Sequence, residues 1–189
     1  MENVVNIEDI VGSFTPRYET RYSSLFDRFA VKKGSSFEGD TIDEETKERR
    51  GLFFTTYYEF YMFAFFVGLY SDKRIPLDSK NATNFRHPLR EWGNSSLKRN
   101  HGRRSKVMLD HIYMAMVLKS GLSQDDIISY ESSGSEANES FIKTPLNKAL
   151  EEYTNGGLSH IAMASADDEA LFENQRDVLY FIRDLKDKS

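Results

Sequence analysis

Apolar residues recur along this chain at helical rather than strand spacing. Tyr18, Tyr22, Leu25, Phe26 and Phe29 follow at helical intervals behind Thr15 and Pro16, which have the form of an N-cap and a first helical position. The pattern predicts an amphipathic helix that stops before Lys33 and Gly34, then a loop over 34–40. Thr41 with Glu44 three residues on has the form of a capping box, so a second helix is expected from near Ile42 to about Tyr70, with an interruption at Gly51. From Leu52 to Tyr70 it is apolar nearly all round, which predicts a central position.

The pattern then lapses. Pro76, Pro88, Gly93 and Gly102, with several Asn and Ser, predict a long irregular connection at about 71–104, with room for a short hairpin. Periodicity resumes at Ser105, where Met108, Ile112, Tyr113, Ala115, Met116 and Leu118 mark a helix ended by Gly121. Ser123 caps a short helix with Asp125 and Asp126 in its first turn, where they suit the positive end of the dipole. A small, polar stretch at 130–140 reads as a loop. Thr144 and Pro145 open a further helix through Tyr153, which Asn155, Gly156 and Gly157 close. Ser165 with Asp168 forms a second capping box before a final helix striped by Leu171, Val178, Ile182 and Leu185. Strict alternation and internal repeats are absent. The expected fold is therefore mainly all-α, a single domain over 1–189 built as a bundle of five or six helices around one aromatic core.

Composition changes this picture in two ways. Phe, Tyr and Trp make 13% of the chain, so a few rings suffice to close a core. Cysteine is absent, which excludes disulfides, thiolate zinc sites and cysteine nucleophiles and makes a reducing, cytoplasmic setting the default. The first 20 residues hold no long apolar run, so no secretory signal is expected. Leu52 to Tyr70 approaches the length of a bilayer span. Its tyrosines and threonines, and Glu59 near its middle, instead predict a buried helix and no membrane partner.

Charge changes it more. Residues 73–106 hold 10 Lys or Arg against 2 Asp or Glu, a net of +8, between flanks of −5 (residues 1–72) and −8 (residues 107–189). The cations are Lys73, Arg74, Lys80, Arg86, Arg90, Lys98, Arg99, Arg103, Arg104 and Lys106, with Phe85 and Trp92 between them. Guanidinium forks match phosphate and carboxylate geometry, and planar rings can stack on bases. Such a block suits an acidic protein surface or nucleic acid, unless the chain's own acidic flanks neutralise it. It also permits a homo-oligomer in which the basic block of one copy meets the acidic C-terminal third of another.

Signals for catalysis are weak. The run Gly121 to Ile128 has the outline of a helix-turn-helix, but Asp125 and Asp126 would stand where phosphates approach, so a capped turn is the better reading. Asp110 and His111 are helix neighbours about 100° apart and suit no shared metal; no metal, cofactor or catalytic set is predicted. Glu59, with Tyr58 and Tyr61, is the candidate lining of an aromatic ligand pocket, where burial would raise a carboxyl pKa.

The stretch Phe63-Ala64-Phe65-Phe66-Val67-Gly68-Leu69-Tyr70, followed by Lys73-Arg74-Ile75-Pro76-Leu77, resembles small accessory proteins of bacterial DNA phosphorothioation and defence islands. That resemblance implies a bacterial, DNA-associated accessory role and carries over no catalytic residue. The sequence thus points to a non-enzymatic accessory or adaptor protein that contacts its partner through Lys73 to Lys106. The alternative is a small-ligand-binding protein or enzyme with a pocket around Glu59.

Overall fold

The computed structural model describes residues 7–30, 54, 56–85, 87–92, 101–133, 139–168, 171–172 and 175–187, with the side chains of 101–106, 133, 175, 186 and 187 excepted. Seven α-helices lie among them: α1 (Ile7–Ser13), α2 (Ser23–Phe29), α3 (Tyr57–Tyr70), α4 (His101–Lys119), α5 (Gln124–Ser133), α6 (Glu139–Asp167) and α7 (Gln175–Asp187). Strands β1 (Arg17–Glu19) and β2 (Ala82–Asn84) form a two-stranded sheet. The protein is mainly α, as expected, with more helices than the five or six foreseen. The chain resolves into two compact units, residues 1–17 with 83–151, and residues 18–82 with 152–189.

In the first unit, Phe85 and Leu89 donate their backbone N–H groups to the carbonyls of Pro16 and Phe14, at 3.0 and 2.9 Å. Thr15 and Pro16 therefore lead into β1 rather than a helix. Extended backbone here satisfies the 83–92 segment, and the helix begins only at Ser23. Ile10, Val11, Phe14, Leu89, Ile112, Met116, Ile142, Leu146 and Leu150 are buried. α4 begins at His101, one turn before Ser105, and β2 falls within the stretch expected to be irregular. α4 ends at Lys119, and Gly121 adopts φ +82°, a conformation that few other residues take without strain. Ser123 Oγ accepts from the Asp126 N–H at 3.1 Å, and Asp126 Oδ2 accepts from the Ser123 N–H at 2.8 Å. The predicted Ser123 cap is present, and Asp126 answers it in the manner of a capping box. α6 begins at Glu139, over a turn before Pro145, steadied by the Lys143–Glu139 ion pair and the buried Ile142.

In the second unit, α3 begins at Tyr57, with Thr56 Oγ1 accepting from the Glu59 N–H at 3.2 Å. Its 14 residues are too short and too ring-rich to span a bilayer, and no helix among the described residues is long and apolar enough to cross a membrane. The Thr41 capping box and the expected helix start at Ile42 lie outside the described residues. Phe60 of α3 meets Phe26 edge-on at 4.9 Å and Phe54 at 5.3 Å, while Phe172 meets Phe29 at 5.1 Å and Phe181 at 5.2 Å. These rings make the expected aromatic core.

α6 does not stop at Asn155-Gly156-Gly157. It runs on for ten more residues, because a Cβ at Gly157 would overlap the Ala64 carbonyl and one at Gly68 would overlap that of Tyr153. Glycine here lets α3 and α6 touch backbone to backbone. Asn155, buried in mid-helix, donates its side-chain amide to Glu19 Oε1 at 2.7 Å and to the Pro76 carbonyl at 3.2 Å. Its amide nitrogen has tertiary partners, so it does not act as a helix stop.

Candidate functional site

The described cations of the basic block differ in their surroundings. Its members divide between the two units at residue 83. Arg74 bonds Glu152 through Nε at 2.9 Å and through its terminal nitrogen at 2.7 Å, and lies over the Tyr153 ring at 5.3 Å. Lys73 donates to Ser159 Oγ at 3.3 Å. Both cations serve α6 of their own chain, since a guanidinium beside a buried carboxylate offsets the desolvation of that carboxylate.

Trp92 is corrected outright. It is 2% exposed, its Nε1–H donates to the His87 carbonyl at 2.9 Å, and its ring meets the buried Phe85 edge-on at 5.2 Å. Neither ring can stack on a base. The indole belongs to a core because its one donor finds a backbone acceptor there. Lys80 and Arg90 are exposed. Arg103, Arg104 and Lys106 fall on the first two turns of α4, and Arg86, Lys98 and Arg99 lie outside the described residues.

The residues of the expected ligand pocket, Glu59, Tyr58 and Tyr61, all lie on α3. Glu59 sits in the first turn of α3 rather than mid-helix, where the dipole favours a carboxylate. Tyr61 is fully buried and Tyr58 half-buried, among rings that pack on one another. The Tyr57 hydroxyl donates to Asp27; burial first, and this carboxylate second, hold its proton well above the usual tyrosine range.

A further candidate surface lies at the far end of α6. A groove of about 520 Å³ opens between the last turns of α6 and the face of α7. From α6 come His160, Met163 and Asp167, spaced so that they share one side of the helix; Asp168 follows in the turn. From α7 come Asp177, Tyr180, Phe181 and Asp184, again on one side. Four carboxylates thus surround a wall of Met163, Tyr180 and Phe181, of which the first two are more than half exposed.

The helix adds to the field. α6 carries no basic residue in its last turn. Its terminal carbonyls carry the equivalent of about half a negative charge, and Asp167 adds a like charge there. Acidic residues at this end oppose folding. Sequence reasoning missed them because it closed α6 at Gly157 and opened the next helix at Ser165, which would have set Asp168 in a favourable first turn. In the structure Ser165 is buried in α6 and accepts from Arg28. The spacing of Asp177, Tyr180 and Asp184 was the signal that could have revealed one wall. The chain matches no family model, no curated protein and no solved structure.

Proposed function

We propose that the protein is a non-enzymatic adaptor that holds a cationic segment of a partner protein in the groove between α6 and α7. The carrying observation is the groove itself, with four carboxylates and the negative end of α6 around exposed Met163 and Tyr180. Carboxylates pair with Arg or Lys, and the partner's cation would replace the chain's own Arg183, which lies over the Tyr180 ring at 5.0 Å and bonds Asp184 at 3.3 Å. This reading reverses the sign of partner that the charge map suggested, because part of the basic block is engaged within the chain.

The test is fluorescence anisotropy of a labelled peptide alternating Arg with Leu, against the same peptide with Glu for Arg. The basic peptide is expected to bind, more tightly at ~50 mM than at ~300 mM salt, because surface pairs are screened. Replacing Asp177 and Asp184 by Asn should weaken it roughly tenfold, each exposed pair contributing up to ~1 kcal/mol. No binding at low salt, or equal binding of the acidic peptide, would refute the reading.

Exposed Arg90, with Arg103, Arg104 and Lys106 on the opening turns of α4, favours a second reading in which an anionic partner, protein or nucleic acid, meets the part of the basic block that lies in the first unit. The DNA-associated bacterial role implied by the resemblance at 63–77 accords with it. A short DNA duplex titrated at ~50 mM salt tests it, and absence of binding there removes nucleic acid as the partner.

A further inference from the structure

α4 carries two apolar stripes, and a helix lying on a single core needs only one. Leu109, Ile112 and Met116 make the buried stripe. Val107, Met114 and Leu118, with His111 in line, make another that is 48, 54 and 82% exposed at its three apolar positions. At about 100° per residue, the two stripes centre on opposite sides of the helix. The outward stripe has the 4-3-4 spacing of a two-helix seam.

We infer that this stripe is the contact through which α4 pairs, antiparallel, with α4 of a second copy of the chain. Its spacing reads the same from either end. A twofold axis between His111 and Met114 would set Val107 against Leu118 of the other copy, and His111 against Met114, so that the same patch serves both partners. Charge selects the direction. Arg103, Arg104 and Lys106 lie on the first two turns of α4, whereas Asp125 and Asp126 open α5 just beyond its C-terminal end. Antiparallel pairing brings each cationic end toward the other's C-terminal carbonyls and the two aspartates that follow, which outnumber the single Lys119 of the last turn, whereas parallel pairing lays three cations beside three. The seam spans about 16 Å at 1.5 Å per residue, a small interface, so the dimer forms and dissociates readily.

Sedimentation of the full chain from ~1 µM to ~1 mM is expected to show a monomer–dimer equilibrium that Leu118→Asp abolishes. Because Leu118 is exposed, the variant should keep the wild-type circular dichroism and thermal midpoint. A wild-type monomer across the whole range, or a dimer that survives Leu118→Asp, overturns the inference. Direction is read separately, since the chain has no cysteine of its own. Val107→Cys mixed with Leu118→Cys should give a mixed disulfide on mild oxidation, and efficient crosslinking of either variant with itself instead would overturn the antiparallel arrangement.

Discussion

Asp167 shows how one residue changes meaning with the helix to which it belongs. At the C-terminal end of α6 its charge repels the helix's own carbonyls, so Asp167→Asn should stabilise the fold by a few tenths to ~1 kcal/mol while weakening the basic peptide. Thermal melts and anisotropy on the same preparation check both halves; a variant that loses stability and keeps affinity contradicts the groove reading. Asp126 behaves in the opposite sense. Hydrogen bonds, from the Ser123 hydroxyl first and from its backbone N–H second, hold its carboxyl below the ordinary value of 3.8. A carboxyl whose folded pKa is depressed stabilises the folded state above its unfolded pKa, and that contribution disappears as the pH falls through the folded value. Asp126→Asn should therefore be less stable than wild type at neutral pH, and the gap should close on acidification below about 3.8, as followed by urea melts across pH. Trp92 completes this scale. As the one tryptophan in the chain, it should show blue-shifted emission and resist iodide quenching, with or without DNA.

Helix α6 is the element at which sequence and structure diverge most. Its parts were legible: Ile142, Leu146, Ala149, Leu150 and Tyr153 repeat at helical spacing and are buried. Its ends were not. Gly156 and Gly157 are ordinary stop signals on local grounds, each about 1 kcal/mol poorer than Ala in a helix. What retains them is close approach to chain distant in sequence, the Lys73 carbonyl at Gly156 and the Ala64 carbonyl at Gly157. No local pattern encodes a partner more than 80 residues away. Thr15 and Pro16 fail as a helix start for the same reason, because the backbone bonds to Phe85 and Leu89 compete with a helical first turn. The Ser123 cap was readable because its partner Asp126 lies within four residues. Gly157→Ala separates the two accounts by sign. A solvated helix would gain ~1 kcal/mol, whereas this one should lose at least 1–3 kcal/mol to overlap with α3, measured as a fall in the urea midpoint.

Over the whole molecule, the alternation of acidic, basic and acidic thirds was plain in the sequence, but which charges face water was not. Arg74 and Arg17 end on Glu152 and Glu151, neighbours on α6, so part of the basic charge holds structure together. The surfaces proposed for binding separate into residues 160–184, for a cationic segment, and α4, for an anion at its opening turns and a second copy along its outward stripe. These assignments imply a particular pattern of linkage. A ligand that competes for the opening turns of α4 must shift the monomer–dimer equilibrium, because both events draw on Arg103, Arg104 and Lys106. Adding a short DNA duplex at ~50 mM salt should therefore dissociate the dimer, while the basic peptide, which uses residues 160–184, should leave it unchanged. Leu118→Asp should in turn leave the peptide's affinity unaltered. Sedimentation with labelled peptide and labelled duplex reads all three quantities together. Dissociation of the dimer by peptide but not by duplex would show that the acidic groove, rather than α4, joins the copies.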